Sequence, residues 1–135
     1  ASIERGDYEK AYRFIKPLAE QGDPHAQCIL AAMYFNGQGF PQDYTEAAKW
    51  FQRAAEQGYA EAQHNLALLY KVGQGVPRVY KLAYMWFNIA ASQLDIPTET
   101  REVVVKERDI VASKMTAEQI AKANKLAWEW RPKKE

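Results

Sequence analysis

The sequence is poor in the residues that most often carry chemistry. Its 135 residues hold one cysteine, Cys28, so no internal disulfide can form and no disulfide framework organises the fold. Two histidines occur, His25 and His64. With Cys28 they are too few and too unpatterned for a closed zinc site, which takes four ligands, and no metal or other cofactor is expected. An excess of one charge is also missing. The formal net charge is +1, which supplies no global field to attract nucleic acid or an anionic membrane. No apolar run approaches the roughly 18 residues of a membrane-spanning helix, so membrane insertion is not expected, and no signal-peptide pattern is present. The lone thiol fits a cytoplasmic protein or an exported one that avoids thiols. Residues 1–5 read as the last turn of a helix ended at Gly6, as though the sequence began inside a longer element.

What the sequence does hold is one stretch written twice. Residues 26–58 laid over 62–94 give 16 identities in 33 positions without a gap, at an offset of 36. They include Ala26/Ala62, Gln27/Gln63, Leu30/Leu66, Ala31/Ala67, Tyr34/Tyr70, Gly37/Gly73, Gly39/Gly75 and Pro41/Pro77. The second halves add Tyr44/Tyr80, Ala47/Ala83, Trp50/Trp86, Phe51/Phe87, Ala54/Ala90 and Gln57/Gln93. Half a copy precedes them, because residues 7–22 match 43–58 at Asp7, Tyr8, Ala11, Ala19, Glu20, Gln21 and Gly22. A fixed period between 20 and 50 residues is the signature of a stacked repeat array.

Each copy reads as a pair of helices. A helix over 7–21 has Asp7 as N-cap and Gly22 at its end, with Pro17 kinking the last turn. Asp23-Pro24 starts the next helix, which runs to about Asn36 and stops at Gly37-Gln38-Gly39-Phe40-Pro41. Asp43 and Glu46 suggest a capping box for 44–57. The second copy repeats this over about 60–72 and 79–93. Trp50 and Trp86 fall on the buried face, and small residues at fixed positions allow close helix approach. Beyond Gln93 the pattern changes. Asp95-Ile96-Pro97 is a linker, a helix runs from Thr98 to about Lys114, and Thr116 with Gln119 caps a last helix over 117–130. This pair is a degenerate third repeat without the glycine loop, covering the open end of the stack as solenoids require. Arg131 to Glu135 reads as a charged, solvated tail.

Few residues invite a catalytic reading. Cys28 and His64 occupy equivalent positions, and a thiol beside an imidazole can form a nucleophile–base pair. No third group orients the histidine, however, and no oxyanion-hole motif is visible. Gly37-Gln38-Gly39 and Gly73-Gln74-Gly75 follow helices rather than strands and lack the lysine of a phosphate loop. The aromatic residues sit mostly at core spacing, which favours packing over stacking against bases or sugars.

The pattern Ala-Gln-x-x-Leu-Ala-x-x-Tyr-x-x-Gly-Gln-Gly-x-Pro, followed by Ala-x-x-Trp-Phe-x-x-Ala-Ala-x-Gln, resembles the Sel-one-like repeat (SLR), a relative of the tetratricopeptide repeat. Residues 108–130 are similar to the C-terminal end of small bacterial SLR proteins. The resemblance implies an all-α, right-handed αα superhelix, a solenoid of helical hairpins with a C-terminal helical cap. The expected domain is 1–135, divided into a partial repeat over 1–25, repeats over 26–61 and 62–97, and a capping pair over 98–131. It also implies a non-enzymatic adaptor or scaffold, and leans toward an exported, periplasmic protein. In the related tetratricopeptide architecture the first helix of each hairpin lines the concave face. Carried over by register, the inward positions are His25, Cys28, Ala32, Phe35 and Asn36 in one copy, and Glu61, His64, Leu68, Lys71 and Val72 in the next. None of these five pairs is identical. Scaffold positions repeat while these differ, as positions facing a protein or peptide partner would. The competing class, a hydrolase or carbohydrate-active protein of the cell envelope, needs a nucleophile or paired carboxylates in a cleft, and none is found. The oligomeric state is not legible from the sequence.

Overall fold

The computed structural model of the chain describes residues 5–135. Seven helices follow one another, and among the described residues there is no strand. They are α1 (Arg5–Glu20), α2 (Pro24–Asn36), α3 (Tyr44–Glu56), α4 (Ala60–Val72), α5 (Tyr80–Ala91), α6 (Thr98–Ala112) and α7 (Ala117–Glu129). From α1 to α6 each packs on the next, and α7 packs back on α5. This is the all-α solenoid that the period implied. No helix among the described residues is long and apolar enough to cross a membrane.

The boundaries follow the local chemistry. Asp23 accepts a hydrogen bond from the backbone N–H of Ala26 at 3.1 Å, with Pro24 at the first helical position. Asp43 caps α3 by accepting from the N–H of Glu46 at 3.0 Å. Glu46 reaches forward to Lys49. Thr116 and Gln119 form the full reciprocal box. The glycine loops are set by packing as much as by turning. Gly75 has φ +75°, and a Cβ there would run into the backbone of Tyr44 at the start of α3. Gly39 meets Tyr8 in the same way one repeat earlier. Each loop thus rests on the preceding hairpin at a spacing that only glycine permits.

Buried repeat positions form the core. Leu30, Leu66, Ala31, Ala67, Ala54 and Phe87 are fully enclosed, with Trp50 and Trp86 nearly so. Two glutamines, Gln27 and Gln63, are also completely buried. Gln63 Nε2 donates to the Ala55 carbonyl at 3.1 Å, and Gln93 Nε2 donates to Gln63 Oε1 at 3.1 Å. One repeat earlier, Gln27 Nε2 donates to the Ala19 carbonyl and Gln57 Nε2 to Gln27 Oε1. Gln57 Nε2 also donates to the Gly22 carbonyl at 2.8 Å, so Gln27, Gln57 and Gln63 satisfy carbonyls left open where one helix ends and the next begins.

The last two helices continue the register. Lys71 pairs with Glu107 at 2.8 Å, and Asn88 Nδ2 donates to Asn124 Oδ1 at 3.0 Å. Both pairs are 36 residues apart, so α6 stacks beside α4 and α7 beside α5. α6 meets the inner-face positions of α4 at Glu61 and His64, which share a cavity with Thr100 and Val104, and at Lys71.

Three expectations need correction. Residues 1–4 lie outside the described residues, so the helix turn expected there is not described. Gly6 ends nothing, because α1 starts at Arg5 and runs through it, which places Asp7 in the first turn instead of at the cap. The second correction concerns the tail. Residues 131–135 stay exposed, as expected, but instead of fraying they turn back along the stack. The Lys133 N–H donates to the Glu56 carbonyl at 2.7 Å, and Glu135 reaches Arg53 and Gln27. The third is the capping box at Asp43, of which only half forms: the Asp43 N–H donates to the Tyr34 carbonyl at 2.9 Å, and the Glu46 side chain lies by Lys49 instead.

Candidate functional site

The helices α2 and α4 lie side by side and present their variable positions along one seam. Ala32, Phe35 and Asn36 from α2 meet Leu68, Lys71 and Val72 from α4 around a cavity of about 430 Å³. Phe51, Asn65, Leu69 and Gln74 complete its walls. Six of the ten residues singled out by their disagreement between copies therefore share one cavity. The periodicity of α4 explains this, since 68, 71 and 72 fall on one side of a helix.

The cavity is apolar below and polar at its rim. Phe35 packs on Tyr44 with ring centroids 5.0 Å apart, and its backbone carbonyl accepts from Gln42 Nε2. Leu68 is half-buried, whereas Val72 is 56% exposed and so offers an apolar side chain to whatever approaches. Lys71 is not a free cation. Its ammonium is held by Glu107 of α6, and both side chains are about one-quarter exposed.

Glu61 and His64 line a second, smaller cavity of about 350 Å³, between α4 and the start of α6, with Ile96, Pro97, Thr100 and Val104. Burial lowers the pKa of His64, with Glu107 and Glu61 opposing that shift. Its ring stands 5.9 Å from that of the enclosed Phe87. His25 lies in neither cavity. It is exposed and sits 5.9 Å from the Tyr59 ring.

Cys28 is 4% exposed, which removes it from any contact surface. Burial, reinforced by Glu61, pushes its thiol up to about 12, so it carries no thiolate at neutral pH. The side chain of position 28 turns into the packing between α2 and its neighbours. A cysteine–histidine nucleophile pair therefore has no activated sulfur to build on. Among the described residues no group of three or more potential metal ligands is clustered.

Sequence reasoning missed two features of the surface. The first is an aromatic cleft of about 530 Å³ where Tyr12 meets Tyr34 and Phe40 edge to face and those two rings pack tilted against each other, bordered by Arg13 and Asp43. Lys16 sits over the Tyr12 ring, and the hydrogen bond between them lowers the pKa of that phenol. The half-copy signal at Tyr8 and Ala11 pointed to the helix, but Tyr12 has alanine as its counterpart and left no mark in the repeat. The second is the tail contact at Arg53. Nothing in the pattern of residues 131–135 announces it.

A family model described as the Sel1 repeat matches residues 2–23, 24–59 and 60–93. No curated protein matches the chain. Among solved structures it is similar to a protective antigen of uropathogenic Escherichia coli that displays an SLR fold, at 30% identity over 94% of this chain with a TM-score of 0.85. It is also similar to a Sel1 repeat protein from Oxalobacter formigenes, at 27% identity over 87% of this chain with a TM-score of 0.58. The chain spans 26% of the length of the first and 55% of the second.

Proposed function

The chain belongs to the Sel1 repeat family, whose members are in general protein-interaction scaffolds, and from that premise we propose that it holds a segment of another protein against α2 and α4. The observation that carries this reading is the cavity between those helices. It gathers the variable positions of two otherwise matching repeats, with an apolar floor at Leu68 and Phe35 and an exposed apolar edge at Val72. A helix or an extended strand can be held in such a groove by shape and a few anchors, without a catalytic group. The Lys71–Glu107 pair at the rim offers a carboxylate and an ammonium that an incoming polar group would have to satisfy or displace. The acid–base reading has no support at Cys28, whose thiol is buried and protonated.

The test is a selection of binders from a random peptide library displayed on phage, with the whole chain as bait. Val72→Asp puts a charge on the exposed apolar edge without opening a core cavity. Selected peptides that use the groove should bind this variant at least about tenfold more weakly, because an unpaired carboxylate in an apolar contact is costly. The helical circular dichroism should not change. Peptides that bind Val72→Asp and the unaltered chain equally would remove the groove from the function.

A further inference from the structure

The turn-back of the C-terminal segment draws a second binding surface, on different residues from the cavity between α2 and α4. After α7, Trp130 takes extended backbone angles and packs against Trp86 at 6.0 Å between ring centroids. Pro132 then lies over Gly58, two residues past the end of α3. Lys133 donates its backbone N–H to the Glu56 carbonyl at 2.7 Å and sets its ammonium 3.5 Å from the Glu56 carboxylate. Glu135 ends the run. Its Oε1 accepts from Arg53 Nη2 at 2.6 Å and from Gln27 Nε2 at 2.9 Å, and its Oε2 accepts from Arg53 Nε at 3.2 Å.

The receiving side is also held by contacts of its own. Gln27 is completely buried and already anchored to the Ala19 carbonyl and to Gln57. Its Nε2 has a second hydrogen, and that hydrogen points out at the carboxylate. Arg53 has its guanidinium over the Trp50 ring at 4.6 Å, and two of its donors reach the same carboxylate. Gly22 has φ +104°, and a Cβ there would press on the Glu135 side chain at 3.1 Å, so the missing side chain makes the room. A fork of arginine donors, a fixed amide N–H, an open carbonyl at Glu56 and a bare glycine are the parts of a site for an extended peptide bearing a carboxylate.

We propose that this ridge is a peptide-docking site for an extended partner segment that presents a backbone N–H to Glu56 and, two residues on, a carboxylate to Arg53 and Gln27. Residues 131–135 occupy it in cis as a stand-in ligand. A tethered segment competes at an effective concentration on the order of millimolar, so a partner gains the site when the tail is displaced. The same carboxylate geometry then serves the incoming chain.

The test uses the whole chain and a defined probe. The probe is a fluorescent peptide of residues 131–135 with an amidated C-terminus, so that only the glutamate side chain carries the acid. In a variant with Lys133→Pro and Glu135→Lys the tail loses both its backbone donor and its carboxylate. Fluorescence anisotropy should show the probe binding this released variant at least about tenfold more tightly than the unaltered chain. Adding Arg53→Ala should return binding to the level of the unaltered chain, as should glutamine for glutamate in the probe. Arg53→Lys keeps the charge but loses the fork, and serves if Arg53→Ala does not fold by circular dichroism; it should weaken binding as well. No saturable binding to the released variant at millimolar probe, or binding indifferent to Arg53, would overturn the proposal. Neither result touches Val72, so the groove reading stands or falls separately.

Discussion

At Gly75 a single hydrogen atom decides whether two repeats can meet. Its φ of +75° is unfavourable for any L side chain, and the space where a Cβ would go is filled by the Tyr44 backbone. Gly75→Ala should therefore cost about 2–4 kcal/mol, from strain and overpacking together, read as a lower urea midpoint. Gly6 is the control. It lies within α1 with nothing within 4 Å of an added Cβ, and Gly6→Ala should be neutral or stabilise by up to about 1 kcal/mol. The two glycines look alike in the sequence, and only their surroundings separate them. His64 gives a pH dependence at the same scale. Burial lowers its pKa in the folded state, so as pH falls through the ordinary histidine value of about 6.5 the unfolded chain takes up a proton that the folded chain refuses. Stability should fall as pH drops through that window and level off below the folded pKa. Denaturant titrations at pH 7 and pH 5 should show this loss shrinking in His64→Asn.

At the scale of the helix, the two full copies differ at a cap. Asp43 closes the start of α3 with its side chain, while Val79 stands in the same place before α5 and offers nothing to the open N–H groups. Their backbones agree, with φ −145° and ψ 99° at Asp43 against φ −137° and ψ 101° at Val79. Val79→Asp should therefore transplant the cap and stabilise the chain by about 1 kcal/mol, seen as a higher urea midpoint with an unchanged slope. All seven helices were legible in the sequence to within about two residues, because prolines, glycines and capping side chains act over one turn. The exception was the start of α1. A lone glycine in an exposed helix costs only about 1 kcal/mol, too little to end one, and Asp7 is as well placed in a first turn as at a cap.

At the scale of the molecule, the third repeat keeps the register and changes the chemistry of its outer face. Glu102 stands where Leu66 and Leu30 are fully buried, and Lys122 stands where Trp86 and Trp50 fill the core. Thr98, Glu99, Lys106 and Gln119 continue this exposed face. A further repeat stacked as the inner ones are would bury the Glu102 carboxylate and the ammonium of Lys122, which pairs with Glu118 at 3.3 Å, at a cost of several kcal/mol. Glu102→Leu combined with Lys122→Trp should open an apolar end beside Val103 and Leu126, which are already exposed. The double variant should then self-associate, with a mass that rises with concentration in sedimentation equilibrium, while the unaltered chain should not show that rise through this face.

The period of 36 and the identities within it were enough to specify the hairpins, the loops and the stack, because those positions repeat the same short-range contacts. The same comparison marked Phe35, Leu68 and Val72 as positions where the copies part. What it could not do was separate the surface from the packing among the variable positions. Cys28 and Val72 are equally free to vary, yet one is sealed against neighbouring helices and the other is open. Nor did it show Lys71 tied to Glu107, or five charged and proline residues at the end of the chain returning to Arg53 and Gln27. Those contacts join residues up to 108 positions apart. Only the folding of the stack brings such residues together, so no local pattern in the chain records them.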